Sequence, residues 1–149
     1  MALIELIQES LVKVPLTAAH KDDIIRELIE VLASAGRITD SVAVYKAVLA
    51  RESLGSTGLT DGIAIPHGKT TAVADLAIAV GVAPAGIDFD SMDGQPSRIF
   101  FLIIAPPDKS GPHIEALAEI AHMVQSASFR RAMLGSRNAA EVVELIRGD

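Results

Sequence analysis

A histidine stands directly after a short apolar segment, between a proline and a glycine, in Ile65-Pro66-His67-Gly68. Pro66 restricts the backbone before the histidine and Gly68 allows a sharp turn after it. We therefore expect the imidazole to be displayed on a fixed loop at a strand end. A neutral imidazole is a nucleophile near pH 7, and a phosphoryl group on its nitrogen stays ready for onward transfer. His67 is thus a candidate phosphoryl carrier, and the alternative is an ordinary structural histidine in a turn.

A second histidine follows the pattern of a helix start, Ser110-Gly111-Pro112-His113. Ser110 can cap the helix and Pro112 suits its first turn, which predicts that His113 lies at the positive helix end. Free N–H groups there attract phosphate, and the helix dipole should lower the pKa of the histidine and favour its neutral ring. The alternative is a surface histidine with no chemical role.

Four polar residues near a predicted helix end could support this chemistry. Arg51 precedes the segment that leads to His67, and a guanidinium suits bidentate contacts with phosphate. Its alternative role is that of a cation at a helix C-terminus, which contributes ~0.3–1 kcal/mol. Glu52 could pair locally or orient one of these groups, and Ser56 and Thr57 could donate hydroxyl hydrogen bonds. We treat these last three as supporting candidates.

Other site chemistries lack their motifs. The chain has no Walker A or dinucleotide fingerprint, no HExxH zinc motif and no GxSxG elbow. We therefore expect no cofactor, no metal and no nucleotide-dependent kinase activity. A metal site formed by His67 and His113 stays open as an alternative. His20 and His122 are expected at the surface and on a helix flank.

The composition narrows the class of protein further. The chain has 149 residues, a formal net charge of −6, no cysteine and 3% aromatic residues. This length fits a single domain over residues 1–149. An acidic chain without clustered basic residues or stacking aromatics is not expected to bind nucleic acid. The longest apolar run, 99–105, is too short for membrane insertion, and no secretory signal is evident, so we expect a cytoplasmic protein.

Helical and strand patterns alternate along the chain and predict an α/β (α+β) fold, a mixed β-sheet flanked by helices. One helix is expected over Leu16–Gly36 with Thr17 as its cap, and a second from Thr39 or Asp40 to Glu52. The remaining expected elements are strand-like segments at 54–57, 63–65, 76–83 and 99–105, and helices at 110–125, near Phe129 and at 138–147.

The block Arg51-Glu52-Ser53-Leu54-Gly55-Ser56-Thr57-Gly58, followed by Gly62-Ile63-Ala64-Ile65-Pro66-His67-Gly68, resembles the signature of type-2 IIA domains. These are the fructose/mannitol and nitrogen-regulatory IIA components of the phosphoenolpyruvate-dependent sugar phosphotransferase system. The segment 86–90, the strand that ends at Ala105-Pro106 and His113 continue the resemblance, which covers nearly the whole chain. It implies the mixed sheet of the mannitol/fructose-type IIA fold.

The resemblance also implies roles and partners. His67 would be the phosphorylated nucleophile, His113 the second active-site histidine and Arg51 the arginine beside them. The donor would be the phosphohistidine carrier protein HPr or a nitrogen-system HPr, and the acceptor would be the cysteine of a IIB domain in sugar uptake. In the alternative, the chain is a nitrogen-type regulator whose phosphorylation state controls partner binding. Val73, Leu76 and Met92 are candidates for the rim where partners dock.

Overall fold

A five-stranded mixed sheet forms the centre of the computed structural model, which describes residues 5–148. The strands are β1 (Val12–Lys13), β2 (Ile63–Ala64), β3 (His67–Lys69), β4 (Ala77–Ile87) and β5 (Ser97–Ala105). The helices are α1 (Lys21–Ser34), α2 (Ser41–Glu52), α3 (Ser110–Met123), α4 (Ala127–Leu134) and α5 (Ala139–Arg147), and a short 3-10 helix (Glu9–Leu11) precedes β1.

The two long apolar strands, β4 and β5, pair antiparallel at the middle of the sheet. On the outer side of β4, β1 runs parallel to β4. On the outer side of β5, β2 and then β3 run parallel to β5. Pro66 separates β2 from β3, and its carbonyl accepts from the N–H of Ile103 at 3.0 Å, so pairing with β5 continues through the break. His67 therefore begins a short strand at one edge of the sheet.

Helices cover both faces of the sheet because the side chains of its strands alternate between them. Phe100 and Leu102 of β5 pack in the apolar cluster that contains Leu28 of α1 and Val44 of α2. The intervening β5 residues, including Phe101, pack against the opposite layer of α3, α4 and α5. The predicted mixed sheet flanked by helices is confirmed, and both central strands are buried on two sides.

Most predicted elements match the structure, and capping explains several boundaries. The Asp40 carboxylate accepts from the N–H of Ala43 at 3.1 Å and starts α2, and Asn138 starts α5 in the same way through Glu141. Such a cap contributes ~1 kcal/mol. The predicted strand at 54–57 is wrong, because the chain turns there after α2.

Two predicted helix starts are also wrong. The first helix begins at Lys21 with His20 as its N-cap, because the N–H of Leu16 donates to the Val82 carbonyl and Thr17 donates to the Glu27 carboxylate. These contacts hold the preceding segment in an extended path. In α3 the N-cap is Lys109, so Ser110 is already helical. Within residues 5–148, none of the helices has the length and apolar character that a membrane crossing requires.

Candidate functional site

The three residues proposed to carry the chemistry line one cavity of about 440 Å³. It lies where β3, at the sheet edge, meets α2 on one side and α3 on the other. Arg51 comes from the last turn of α2, His67 from the start of β3 and His113 from the first turn of α3. Residues separated by more than 60 positions in the sequence thus face the same space, as the sequence predicts.

Gly68 allows α2 to approach the strand that carries His67. A Cβ atom at this position would lie 3.0 Å from the Val48 nitrogen and 3.1 Å from the Ala47 carbonyl carbon, which is tighter than ordinary contacts. Arg51 lies one turn beyond Ala47 on the same helix. The missing side chain at Gly68 therefore brings the end of α2, and with it Arg51, up to His67.

One hydrogen bond fixes the tautomer of His67. Its ring nitrogen Nδ1 lies 2.9 Å from the carbonyl oxygen of Ile65, and a carbonyl oxygen can only accept. In the neutral ring Nδ1 must therefore carry the proton, which leaves the lone pair on Nε2. The half-buried ring lines the cavity with its orientation set by the backbone two residues earlier. The geometry leaves Nε2 as the ring nitrogen with a free lone pair.

His113 is packed edge-on against His67, with ring centroids 5.4 Å apart and an interplanar angle of 75°. Its side chain is buried, and Nε2 has no hydrogen-bond partner among the described residues. Burial first, then the charges of His67 and Lys69, hold the pKa of His113 below its ordinary value of 6.5. The sequence predicts the same direction from the helix dipole. A neutral His113 adds no positive charge beside His67.

The lowered pKa of His113 should make the fold sensitive to acid. The unfolded chain binds a proton here near pH 6.5, whereas the folded chain resists it, so stability falls as pH drops below 6.5. Each unit by which the pKa is lowered corresponds to about 1.4 kcal/mol. We expect the melting temperature of the wild type to fall more steeply between pH 7 and pH 5.5 than that of His113→Gln, which has no titrating ring. Parallel curves in thermal denaturation would contradict this assignment.

Arg51 is half-buried and makes one hydrogen bond, from a terminal guanidinium nitrogen to the Gly55 carbonyl at 2.8 Å. This contact holds the side chain in place at the wall of the cavity. Among residues 5–148, the other N–H groups of the Arg51 guanidinium have no hydrogen-bond acceptor that an anion would have to displace. Arg51 therefore combines a fixed position with free donors.

Lys69 is a second cation in the cavity, and the sequence interpretation missed it. It lies two residues after His67 on the same strand, so both side chains point to the same face. Its Nζ donates to the Ser110 hydroxyl at 3.1 Å, at the start of α3. The sequence predicts a loop at 67–69. A strand prediction there would have indicated Lys69, because side chains two residues apart on a strand share a face.

The supporting candidates Glu52, Ser56 and Thr57 do not line this cavity. The Glu52 carboxylate forms an ion pair with Lys21 and accepts from Thr57, which is buried. The Ser56 hydroxyl donates to the Phe89 carbonyl at 2.6 Å. All three groups are thus engaged in contacts with neighbouring segments of the protein.

None of the three predicted rim residues lines the cavity. Val73 and Leu76 belong to the apolar core, and Met92 is exposed but does not line the cavity. The exposed apolar residues that line it are instead Leu54, just after α2, and Ile114 in α3, which are 83% and 66% exposed. They flank the cavity from opposite sides.

The other two histidines lie apart from the cavity lining. His20 and His122 are exposed, as expected from the sequence. Across residues 5–148, no three His, Asp or Glu side chains come together in an arrangement that could hold a metal ion.

Comparison with known proteins relates this architecture to one family. The chain matches the family model described as "Phosphoenolpyruvate-dependent sugar phosphotransferase system, EIIA 2" over residues 5–148. It is 35% identical over 98% of its length to the fructose-specific EIIABC component of Bacillus subtilis strain 168, of which it spans 23%. It is 34% identical to a nitrogen regulatory protein of Bradyrhizobium diazoefficiens, over 78% of each chain.

A solved structure shows the same fold. The nitrogen regulatory protein IIA-Ntr from Neisseria meningitidis superimposes with a TM-score of 0.89 at 28% identity, covering 97% of this chain and 98% of the other. The mixed sheet and its two helical layers are therefore shared with a known IIA protein.

Proposed function

The chain belongs to the EIIA type-2 family of the phosphoenolpyruvate-dependent sugar phosphotransferase system, and from this premise we propose that it carries a phosphoryl group on Nε2 of His67. Membership makes it a component of a phosphotransferase system. The observation that carries the specific proposal is the hydrogen bond from His67 Nδ1 to the Ile65 carbonyl, which leaves Nε2 as the nucleophile. Arg51, Lys69 and His113 line the same cavity.

The proposed reaction exchanges one nitrogen–phosphorus bond for another. The lone pair of His67 Nε2 attacks phosphorus in line, and the bond to the donor's imidazole breaks, returning its electron pair to that ring. Catalysis then rests mainly on position and charge. Arg51 and Lys69 supply positive charge for the phosphoryl oxygens, and the neutral ring of His113 packs against His67 without adding charge.

The proposed partners are proteins that must reach the same ring. HPr or a nitrogen-type HPr would donate the phosphoryl group, and the cysteine of a IIB domain would accept it, returning His67 to its free form. Exposed Leu54 and Ile114 on either side of the cavity offer apolar contacts to such partners. We propose that this relay operates in the cytoplasm, with residues 1–149 acting as one domain, without a cofactor, nucleic acid or insertion into a membrane.

A regulatory role for the same phosphoryl group is the second candidate. The observation that favours it is the near-equal identity to relatives of two kinds, 35% to a fructose-specific component and 34% to a nitrogen regulatory protein. In this case the phosphorylated and free forms would differ in the proteins they bind, and no sugar would be transported.

The relay is tested by incubating the protein with phosphoenolpyruvate, enzyme I and HPr, and following acid-labile phosphate on the chain. Adding candidate IIB proteins then separates the two roles. Transfer of the phosphoryl group to a IIB cysteine supports sugar uptake. A phosphorylated form that transfers nothing to IIB and binds different partners from the free form supports regulation. A chain that acquires no phosphate from either type of HPr would contradict both.

A further inference from the structure

The Glu52 carboxylate is buried in a polar cluster beside the cavity, with its side chain 6% exposed. One oxygen accepts from the backbone N–H of Thr57 at 3.2 Å and pairs with Lys21 Nζ at 2.9 Å. The other oxygen accepts from the Thr57 hydroxyl. We call these three residues the Glu52 cluster. Its carboxylate thus closes the loop between α2 and β2 by binding both donors of a single residue.

The loop closed in this way holds the Arg51 side chain. Gly55 lies within it, between Glu52 and Thr57, and its carbonyl accepts from the Arg51 guanidinium at 2.8 Å. The N–H of Gly55 in turn donates to the Glu52 carbonyl at 3.1 Å. The position of the acceptor that fixes Arg51 therefore depends on where the Glu52–Thr57 contact places the loop.

The same loop also reaches the histidine. The carbonyl of Thr57 accepts from the N–H of Ile65 at 3.1 Å, and the carbonyl of Ile65 accepts from Nδ1 of His67 at 2.9 Å. The backbone of Ile65 thus connects Thr57 of the Glu52 cluster to the imidazole of His67. Arg51 and His67 are held by the two ends of one hydrogen-bonded segment.

Lys21 anchors this segment to the rest of the fold. Its Nζ contacts Asp90 at 3.3 Å as well as Glu52, and lies 4.7 Å from the centre of the Phe89 ring. The Phe89 carbonyl accepts from the Ser56 hydroxyl at 2.6 Å, next to Thr57. Burial opposes the charge on Lys21, but Glu52 and Asp90 outweigh it and raise the pKa of Lys21. The cation therefore stays paired with the buried carboxylate.

We propose that Glu52 and Thr57 are positioning residues for phosphoryl transfer, which set the guanidinium of Arg51 and the ring of His67 relative to one another. Neither side chain touches the phosphoryl group; each acts through a backbone carbonyl, of Gly55 or of Ile65. The inference rests on the proposed function of His67. It adds that the catalytic geometry is imposed by a buried carboxylate outside the cavity.

The chain contains a matched control for this arrangement. Glu27 also accepts from a threonine's N–H and hydroxyl, those of Thr17, at 2.9 Å each, and pairs with Lys13 at 2.7 Å. This second carboxylate–threonine–lysine cluster joins α1 to the segment before it and does not contribute to the cavity of His67. Thr17→Val removes the same type of hydrogen bond without altering the loop that holds Arg51.

The experiment compares Thr57→Val with Thr17→Val in the full chain, using phosphorylated HPr in single-turnover reactions. We expect the maximal transfer rate of Thr57→Val to fall roughly tenfold to a hundredfold, since a misplacement of 1 Å can cost that much. The HPr concentration at half-maximal rate should stay unchanged. Thr57→Ser, which keeps the hydroxyl, should restore most of the rate, and Thr17→Val should transfer like the wild type.

A spectroscopic readout separates positioning from a general loss of stability. In ¹⁵N NMR of the histidine ring, Thr57→Val should lower the fraction of His67 protonated at Nδ1, because the Ile65 carbonyl moves, whereas Thr17→Val should not. If Thr57→Val does not fold, Glu52→Gln against Glu27→Gln provides the same comparison.

Equal transfer rates for the two valine variants, or a slower rate with an unchanged His67 spectrum, would overturn the positioning role. That outcome leaves the wild type phosphorylated and the proposed function intact. A wild-type chain that accepts no phosphoryl group would instead overturn the proposed function and, with it, this inference.

Discussion

His67→Ala is expected to accept no phosphoryl group from phosphorylated HPr. The substitution removes Nε2 of His67, the nucleophile proposed for the cavity that Arg51 and Lys69 also line. Its neighbour His113 is packed edge-on and buried, so it cannot reach a docked donor in place of His67. Acid-labile phosphate on the variant should therefore fall below detection, whereas its melting temperature should change little, since the ring is only half-buried.

His122→Ala is the matched control for this loss. His122 is an exposed histidine in the last turn of α3 and lies outside the cavity lining. It should accept phosphate at the wild-type rate and level. Phosphorylation of His67→Ala at the wild-type level would mean that another side chain carries the group, and the assignment of His67 would be wrong.

Arg51→Ala is expected to slow phosphoryl transfer by about 10²–10³-fold, the usual cost of losing one preorganised donor to a developing anionic charge. The guanidinium is held by the Gly55 carbonyl and keeps its other donors free at the cavity wall. Arg51→Lys should recover part of the rate, because it restores the charge without the planar pair of donors. Rapid-quench measurements with phosphorylated HPr would give these rates.

Arg131→Ala controls for the simpler role of a cation at a helix end. Arg131 lies in the last turn of α4, as Arg51 lies in the last turn of α2, but it is exposed and does not line the cavity. The two alanine variants should lose similar stability and differ in transfer rate. If Arg51→Ala transfers as fast as Arg131→Ala, the role of Arg51 is confined to the end of its helix.

Much of the fold follows from signals that are local in the sequence. The apolar run 99–105 predicts β5, and Asp40 and Asn138 mark the starts of α2 and α5 as side-chain caps. The start of α1 could not be predicted in this way. Threonine is a common N-cap residue, but the N–H and hydroxyl of Thr17 donate to Glu27 ten residues later. This tertiary contact overrides the local capping preference of Thr17.

The candidate site was predictable where one residue type suits one chemistry. His67, His113 and Arg51 could be proposed from the sequence, and the structure brings them to one cavity. Lys69 could not be assigned without knowing that residues 67–69 form a strand. Glu52 could be named from the sequence as a residue able to orient one of these groups, but its partners could not, since Lys21 and Thr57 come from two segments that only the tertiary fold brings together.

The most direct test of the central claim is to locate the phosphoryl group on the phosphorylated protein. The chain, labelled with ¹⁵N in its histidine rings, would be phosphorylated with phosphoenolpyruvate, enzyme I and HPr and examined by NMR. We expect the phosphorus coupling on Nε2 of His67, with Nδ1 still protonated and bonded to the Ile65 carbonyl. Phosphorus on Nδ1 of His67, on His113 or on no histidine would contradict the account.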